Sequence, residues 1–149
     1  MREKRPGLAL TIAGQSAGKR VQEALRAHGL KNNQAHLLMV LADEGATSQQ
    51  TLVQTLGVDP SVLVAILNDL DSAGLAERRR DPVDRRRHIV EISPRGTKLV
   101  ADVYATIESV EAELFASLDA HEIDVLHKML IRINATARDH SCDDTGDPS

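Results

Sequence analysis

The sequence predicts a mainly α protein with a small two- or three-stranded β wing and long helices at both ends. Apolar residues recur at helical spacing over most of the chain, and two short extended runs flank a turn-rich tip within residues 75–92. The 149 residues suit one compact domain or one subunit of an oligomer. Because aromatic residues make up 1% of the chain, the core must be aliphatic and a base-stacking surface is excluded.

The first part of the chain is predicted to contain three helices. Residues 1–7 are predicted to form a flexible basic segment, and residues 8–30 a long helix that pairs with a second subunit. Asn32 and Asn33 are positioned to cap the second helix. Thr47 opens the capping-box pattern Thr-Ser-Gln-Gln, which predicts the start of a short third helix.

The third and fourth helices are separated by a tight turn. Gly57 permits the turn because glycine adopts left-handed backbone conformations at no steric cost. Asp59-Pro60 then favours a new helix, predicted over residues 60–73. Two short helices joined in this way form a helix-turn-helix. The residues predicted to face its core are Val53, Leu63, Ile66, Leu67 and Leu70.

A basic hairpin follows the helix-turn-helix. Two extended runs within residues 75–92 flank the turn Asp81-Pro-Val-Asp84 and so form a wing. Residues 31–93 are therefore predicted to form a winged helix-turn-helix. Six arginines and two aspartates between residues 78 and 88 sum to +4, although the whole chain carries −4. A polyanion would be attracted to this region and repelled by most of the remaining surface.

Residues 94–138 are predicted to contain two further long helices. The first begins at Ser93-Pro94, and the second at Asp119-Ala-His-Glu122, which matches a capping box. Their apolar stripes exceed what one small domain can cover, which favours a homodimer with interleaved terminal helices. A helical bundle within one chain is the alternative. Residues 139–149 include four aspartates and are predicted to form a disordered acidic tail.

The predicted fold implies two contacts with duplex DNA. The exposed face of residues 60–73 would lie in the major groove, where Asn68 is expected to pair with adenine. A wing arginine would enter the minor groove, and Asp84 is expected to hold the Arg86 guanidinium in a bidentate pair. Other wing arginines and the start of the third helix would meet phosphates. The predicted DNA contacts are Ser48, Gln49, Ser61, Val64, Ala65, Asn68, Arg78, Arg79, Arg80, Asp84, Arg85, Arg86 and Arg87.

Two alternatives to these contacts remain open from the sequence. Val64 and Ala65 could belong to the core, since apolar residues on a helix commonly pack inwards. Arg78 or Arg87 could instead pair with a nearby carboxylate, Glu77 or Glu91.

Several segments of the chain together resemble the MarR family of bacterial winged-helix regulators. They are Leu56-Gly-Val-Asp-Pro-Ser61, Leu70-Asp-Ser-Ala-Gly-Leu75, Asp81-Pro-Val-Asp-Arg-Arg86 and Ile92-Ser-Pro-Arg-Gly96, and the resemblance covers residues 8–138. It implies a homodimeric, sequence-specific transcriptional regulator on a pseudopalindromic operator, usually a repressor released by a small phenolic or anionic effector. It also places the family's wing Asp and Arg at Asp84 and Arg86, and its recognition helix over residues 60–72.

The resemblance further implies an effector crevice between the terminal helices and the winged domain. The candidates to line it are Arg20, Arg26, His28, His36 and Met39. No metal or other cofactor is expected, because His121 and His127 fall on different helical faces.

The remaining sequence features argue against other functional classes. The chain contains no GxGxxG, Walker, GxSxG or HExxH motif, so it is not expected to be an enzyme. A single cysteine, no secretory signal and no run of 18 apolar residues predict a cytoplasmic protein without a membrane partner. The alternative function is a winged-helix dimerisation or protein-interaction module without DNA binding, against which the six arginines argue.

Overall fold

A computed structural model describes residues 5–142 of the chain, with side chains as far as residue 137. The described residues form six helices and three strands, which confirms the mainly α fold with a β wing. They are α1 (Pro6–Ala27), α2 (Asn32–Glu44), β1 (Thr47–Ser48), α3 (Gln49–Leu56), α4 (Pro60–Ser72), β2 (Ala76–Arg80), β3 (His88–Ile92), α5 (Pro94–Leu114) and α6 (Ala120–Cys142).

The chain divides after Val110 into two compact units. Residues 1–4 of the predicted basic segment (1–7) and residues 143–149 of the predicted acidic tail (139–149) lie outside the described residues. Pro6 and Gly7 belong to α1, so the prediction of a flexible segment is wrong for these two residues. The last helix continues to Cys142, four residues beyond the end predicted at residue 138.

The three strands form an antiparallel sheet in the order β1-β3-β2. In the central strand, Val90 is fully buried and lies opposite Arg78 of β2. Side chains alternate between the two faces of a strand, so Arg78 shares the face of Val90. The adjacent Arg79 lies opposite Ile89 and belongs to the other face. The register therefore separates two arginines that are neighbours in the sequence.

The core of the first unit is aliphatic, as the composition predicts. The α2 residues Leu37, Leu38 and Leu41 are fully buried. The predicted inner face of α4 is also buried, whereas Val53 of α3 is partly buried against the core. The four buried residues of α4 are Leu63, Ile66, Leu67 and Leu70. This burial fixes the orientation of α4 and leaves its opposite face to solvent.

The first two helices begin at other residues than those predicted. α1 begins at Pro6, where the missing N–H of proline leaves no helical bond unmade. Lys31 occupies the N-cap of α2, so the prediction that Asn32 or Asn33 caps this helix is wrong. The backbone N–H of Lys31 donates to Oε1 of Gln34 at 3.0 Å and satisfies the helix start from within the first turn.

The third helix starts one residue later than its capping-box pattern predicts. Ser48 is the N-cap, and its hydroxyl accepts the backbone N–H of Thr51 at 3.1 Å. Thr47 is not available for capping, because it belongs to β1 and its hydroxyl donates to the carbonyl of Gly45 at 2.8 Å. Gly57 ends the helix with φ of 62°, as predicted.

The start of α5 is tied to the turn that follows α4. The Ser93 hydroxyl accepts the N–H of Gly96 at 3.0 Å and donates to the carbonyl of Gly74 at 2.6 Å. The Ser93 N–H donates to the carbonyl of Leu75 at 2.9 Å. These three bonds fix the chain at the base of the wing and confirm the cap predicted at Ser93-Pro94. By contrast, Asp59 occupies the predicted N-cap of α4 but makes no side-chain capping bond.

The second unit contains the predicted capping box of α6. The N–H of Glu122 donates to Asp119 Oδ1 at 2.8 Å, and the N–H of Asp119 donates to Glu122 Oε1 at 3.1 Å. Several large apolar side chains of α6 are exposed, namely Val125, Met129, Ile131 and Ile133.

Within residues 5–142, no individual helix combines the length and the apolar composition needed to cross a membrane. Only α3 and α4 together are long and apolar enough, and that pair is bent by 109°.

Candidate nucleic-acid interface

The predicted recognition face of α4 is exposed along the whole helix. Its members are Ser61, Val64, Ala65, Asn68 and Ser72. The side chain of Val64 is 39% exposed, and Ala65 is exposed as well, so neither residue belongs to the core. Val62 adds a third exposed apolar side chain to the N-terminal half of the helix. This face can therefore offer methyl groups at one end and a side-chain amide at the other.

The six wing arginines divide into two groups. Arg79 pairs with Glu91, with Nη2 and Oε2 3.2 Å apart, and Arg78 donates from Nη2 to Oδ1 of Asn68 at 2.6 Å. Within the described residues the other four have neither an ion pair nor a side-chain hydrogen bond: Arg80, Arg85, Arg86 and Arg87. Four guanidinium groups per chain therefore remain available to an anionic ligand.

The carboxylate pairing left open by the sequence occurs at a different arginine. The sheet register places Glu77 directly opposite Glu91, and two like charges in that position repel each other. Arg79 lies on the same face and supplies the opposite charge. Arg78 instead donates to Asn68 on α4, so the alternative pairing of Arg78 with Glu77 or Glu91 is not observed.

The wing tip is shaped by two aspartates that bind backbone rather than side chains. Asp84 Oδ1 accepts the backbone N–H of Arg86 at 3.1 Å, so the expected bidentate pair with its guanidinium is not observed. Asp81 Oδ1 accepts the N–H of Val83 at 2.9 Å in the same manner. An aspartate readily bonds the backbone two residues ahead, which explains both contacts. The tip is thus held by its own carboxylates, and the Arg86 side chain stays exposed and unpaired.

A cleft of about 330 Å³ joins the wing to the start of α3. It is lined by Ser48, Gln49, Gln50, Arg86, Arg87 and His88. The lining combines the amino end of a helix with two guanidinium groups and contains no carboxylate, a composition that favours phosphate. Gln50 and His88 were not among the sequence-predicted contacts. His88 could have been noticed beside Arg87, but its approach to α3 depends on the pairing of Ser48 with Ile89.

The five effector candidates do not share one cavity. Arg26 lines an open cavity of about 650 Å³ beside the α1–α2 turn. His28 lines a second cavity of about 410 Å³ whose wall includes Arg95 and Lys98. Arg20 and His36 are exposed on their helices, and Met39 is packed against the core. No cluster of three metal-binding side chains occurs in the part of the chain that the structure describes.

A family model described as MarR family matches residues 28–87. A protein of Thauera aromatica, named as a transcriptional regulatory protein for the hcr operon, is 30% identical over 97 residues. The match covers 65% of this chain and 58% of that protein, so less than two thirds of this relative is represented.

Two solved structures share the architecture. A MarR-family transcriptional regulator from Rhodococcus sp. RHA1 is 27% identical with a TM-score of 0.74, covering 85% of this chain and 90% of that chain. A cysteine-to-serine variant of MarR from E. coli, crystallised with operator DNA, has a TM-score of 0.73 at 23% identity, covering 85% and 91%. These likenesses confirm the predicted winged-helix fold.

Proposed function

Because the chain matches the MarR family model over residues 28–87 and shares the fold of a solved MarR-family regulator, we propose that it is a winged-helix transcriptional regulator of this family that binds duplex DNA sequence-specifically. The observation that carries the proposal is an exposed α4 face in the same unit as four unpaired wing arginines. Members of the family are regulators rather than enzymes, in agreement with the absence of catalytic motifs.

Each part of the interface has a role in this proposal. The exposed face of α4 enters the major groove, where Val64 and Ala65 contact thymine methyl groups. The cleft beside α3 holds a phosphate between the helix amino end and Arg87. Arg86 extends from the wing tip into the minor groove, where a narrow A·T-rich segment concentrates negative potential.

We further propose that the protein acts as a homodimer on a pseudopalindromic operator. The amino end of α1 exposes Leu8 and Ile12, and α6 exposes Met129 and Ile133. Each pair is four residues apart and so lies on one helical face. In a single chain both apolar faces are exposed to solvent, and packing against a second copy of the chain would bury them. A twofold axis then places two recognition helices about one turn of DNA, roughly 34 Å, apart.

The salt dependence of DNA binding tests both proposals. Four phosphates neutralised by each of two subunits give a slope of about −7 in a plot of log affinity against log salt. A monomer with the same four contacts would give about −3.6. The slope would be measured by fluorescence anisotropy on a fragment found by footprinting the region upstream of the gene. A slope near zero would exclude the wing as the phosphate contact, and no footprint at any salt would favour the interaction module without DNA binding.

We also propose that the protein is a cytoplasmic repressor released by a small phenolic or anionic effector. The cavity beside His28 supports this proposal, because Arg95 and Lys98 outnumber its single carboxylate, Asp102. Its volume of about 410 Å³ lies within the range of small-molecule sites.

Footprinting repeated with a panel of small aromatic acids tests the effector proposal. At least one acid is expected to abolish the footprint of the unmodified protein, and Arg95→Ala is expected to raise the required concentration about tenfold. Lys128→Ala removes an equal charge from an exposed pair on α6 and serves as the control. If every acid leaves the footprint intact, the effector proposal is wrong.

A further inference from the structure

Among the described residues, one side-chain hydrogen bond links the recognition helix to the wing. Arg78 Nη2 on β2 donates to Asn68 Oδ1 on α4 over 2.6 Å. Asn68 is the only side-chain amide in α4, and the helix contains no arginine or lysine. The wing thus engages the side chain of the recognition helix that is best suited to reading a base edge.

The fold holds Arg78 in position for this bond. Its register opposite the buried Val90 places it on the inner face of the sheet, whereas Arg79 lies on the outer face. Arg78 is also partly buried, which restricts its long side chain. A hydrogen bond from a charged donor is shorter and stronger than one between neutral groups. The contact is therefore formed before any DNA arrives.

The bond determines which end of the amide faces outwards. Arginine carries only donors, so Asn68 must turn its oxygen towards Arg78 and its Nδ2 amino group away. An asparagine that reads adenine uses both ends, because Oδ1 accepts from adenine N6 while Nδ2 donates to N7. Arg78 occupies one of the two lone pairs of Oδ1. Adenine N6 would have to reach the other lone pair beside a positively charged guanidinium, so the Nδ2 donors become the favoured readers. The nearby guanidinium charge also opposes the amino group of adenine and favours the guanine acceptors O6 and N7.

We propose that Arg78 is a specificity-determining residue that turns Asn68 from an adenine reader into a reader of guanine through its Nδ2 donors. The inference rests on the proposed DNA binding and replaces the adenine contact expected from the sequence. Arg78 acts through Asn68 and is in this sense a positioning residue.

Selection of binding sites from a randomised duplex pool tests the proposal. The Asn68→Ala variant identifies the base pair that Asn68 contacts. It is the position in each half-site at which this variant loses the base preference of the unmodified protein. Unmodified protein is expected to prefer guanine over adenine there by about tenfold. Arg78→Met keeps an unbranched apolar stem but removes the donors, and is expected to favour adenine at that position alone. Arg79→Met is the matched control, expected to keep the guanine preference because its guanidinium pairs with Glu91.

The outcomes separate the two levels of the proposal. If unmodified protein selects adenine at the position defined by Asn68, or if Arg78→Met keeps the guanine preference, this inference is wrong while DNA binding stands. If unmodified protein selects no duplex under low salt, the proposed function and the inference are both overturned. Circular dichroism of Arg78→Met, expected to match the unmodified protein, excludes misfolding as the cause of a changed preference.

Discussion

Replacing Arg86 with alanine is expected to weaken operator binding by about thirtyfold or more without disturbing the fold. Arg86 is exposed, and among residues 5–137 its guanidinium has no ion pair or hydrogen bond, so its removal breaks no contact in the free protein. A specific arginine contact to DNA is worth about 1–3 kcal/mol, and a twofold complex loses it twice. Because 1.4 kcal/mol corresponds to a factor of ten in affinity, a loss of about 2 kcal/mol of binding free energy already weakens binding about thirtyfold.

The Arg86→Ala measurement needs a variant of equal charge. Lys128→Ala removes one positive charge from an exposed ion pair with Asp124 on α6, and it should change affinity by less than about threefold. Affinity would be measured by electrophoretic shift, with the oligomeric state of each variant checked by sedimentation. Wild-type affinity in Arg86→Ala would show that the minor-groove assignment is wrong.

The local elements of this fold could be predicted where a few adjacent residues determine them. The capping box between Asp119 and Glu122 forms as predicted, because both hydrogen bonds join residues three apart. The box predicted at Thr47 fails by one residue, because Thr47 pairs with Val90 from a distant part of the chain. A local sequence pattern therefore predicts a helix start correctly only where no long-range strand pairing involves the same residue.

The basic wing was also evident from the sequence, but the division of its arginines was not. Arg78 and Arg79 are adjacent and chemically identical, so no local pattern separates them. The register of β2 against β3 sends Arg79 to Glu91 and Arg78 to Asn68. The effector candidates show the same limit, since the cavities depend on how α1, the start of α2, the turn after α4, and α5 pack rather than on residue spacing.

The expected effect on stability is largest at a glycine whose importance the sequence does not indicate. Gly96 lies in the first turn of α5, where alanine would ordinarily favour the helix by about 1 kcal/mol. A Cβ atom at this position would stand 2.2 Å from the carbonyl oxygen of Leu75 and 2.7 Å from Cγ1 of Ile92. The Leu75 oxygen cannot move freely, because it accepts the N–H of Ser93 at 2.9 Å.

Gly96→Ala is therefore expected to lower the free energy of unfolding by about 2–4 kcal/mol, because the backbone must shift to admit one methyl group. Gly18→Ala is the matched control, since Gly18 lies within α1 and a Cβ there meets no atom within 4 Å. That substitution should raise the free energy of unfolding by up to about 1 kcal/mol. Urea denaturation followed by circular dichroism measures both changes. A loss of stability in Gly96→Ala beside a gain in Gly18→Ala would establish that the close approach of α5 to Leu75 holds the base of the wing. A gain of stability in both variants would show that the backbone at Gly96 shifts without a loss of stability.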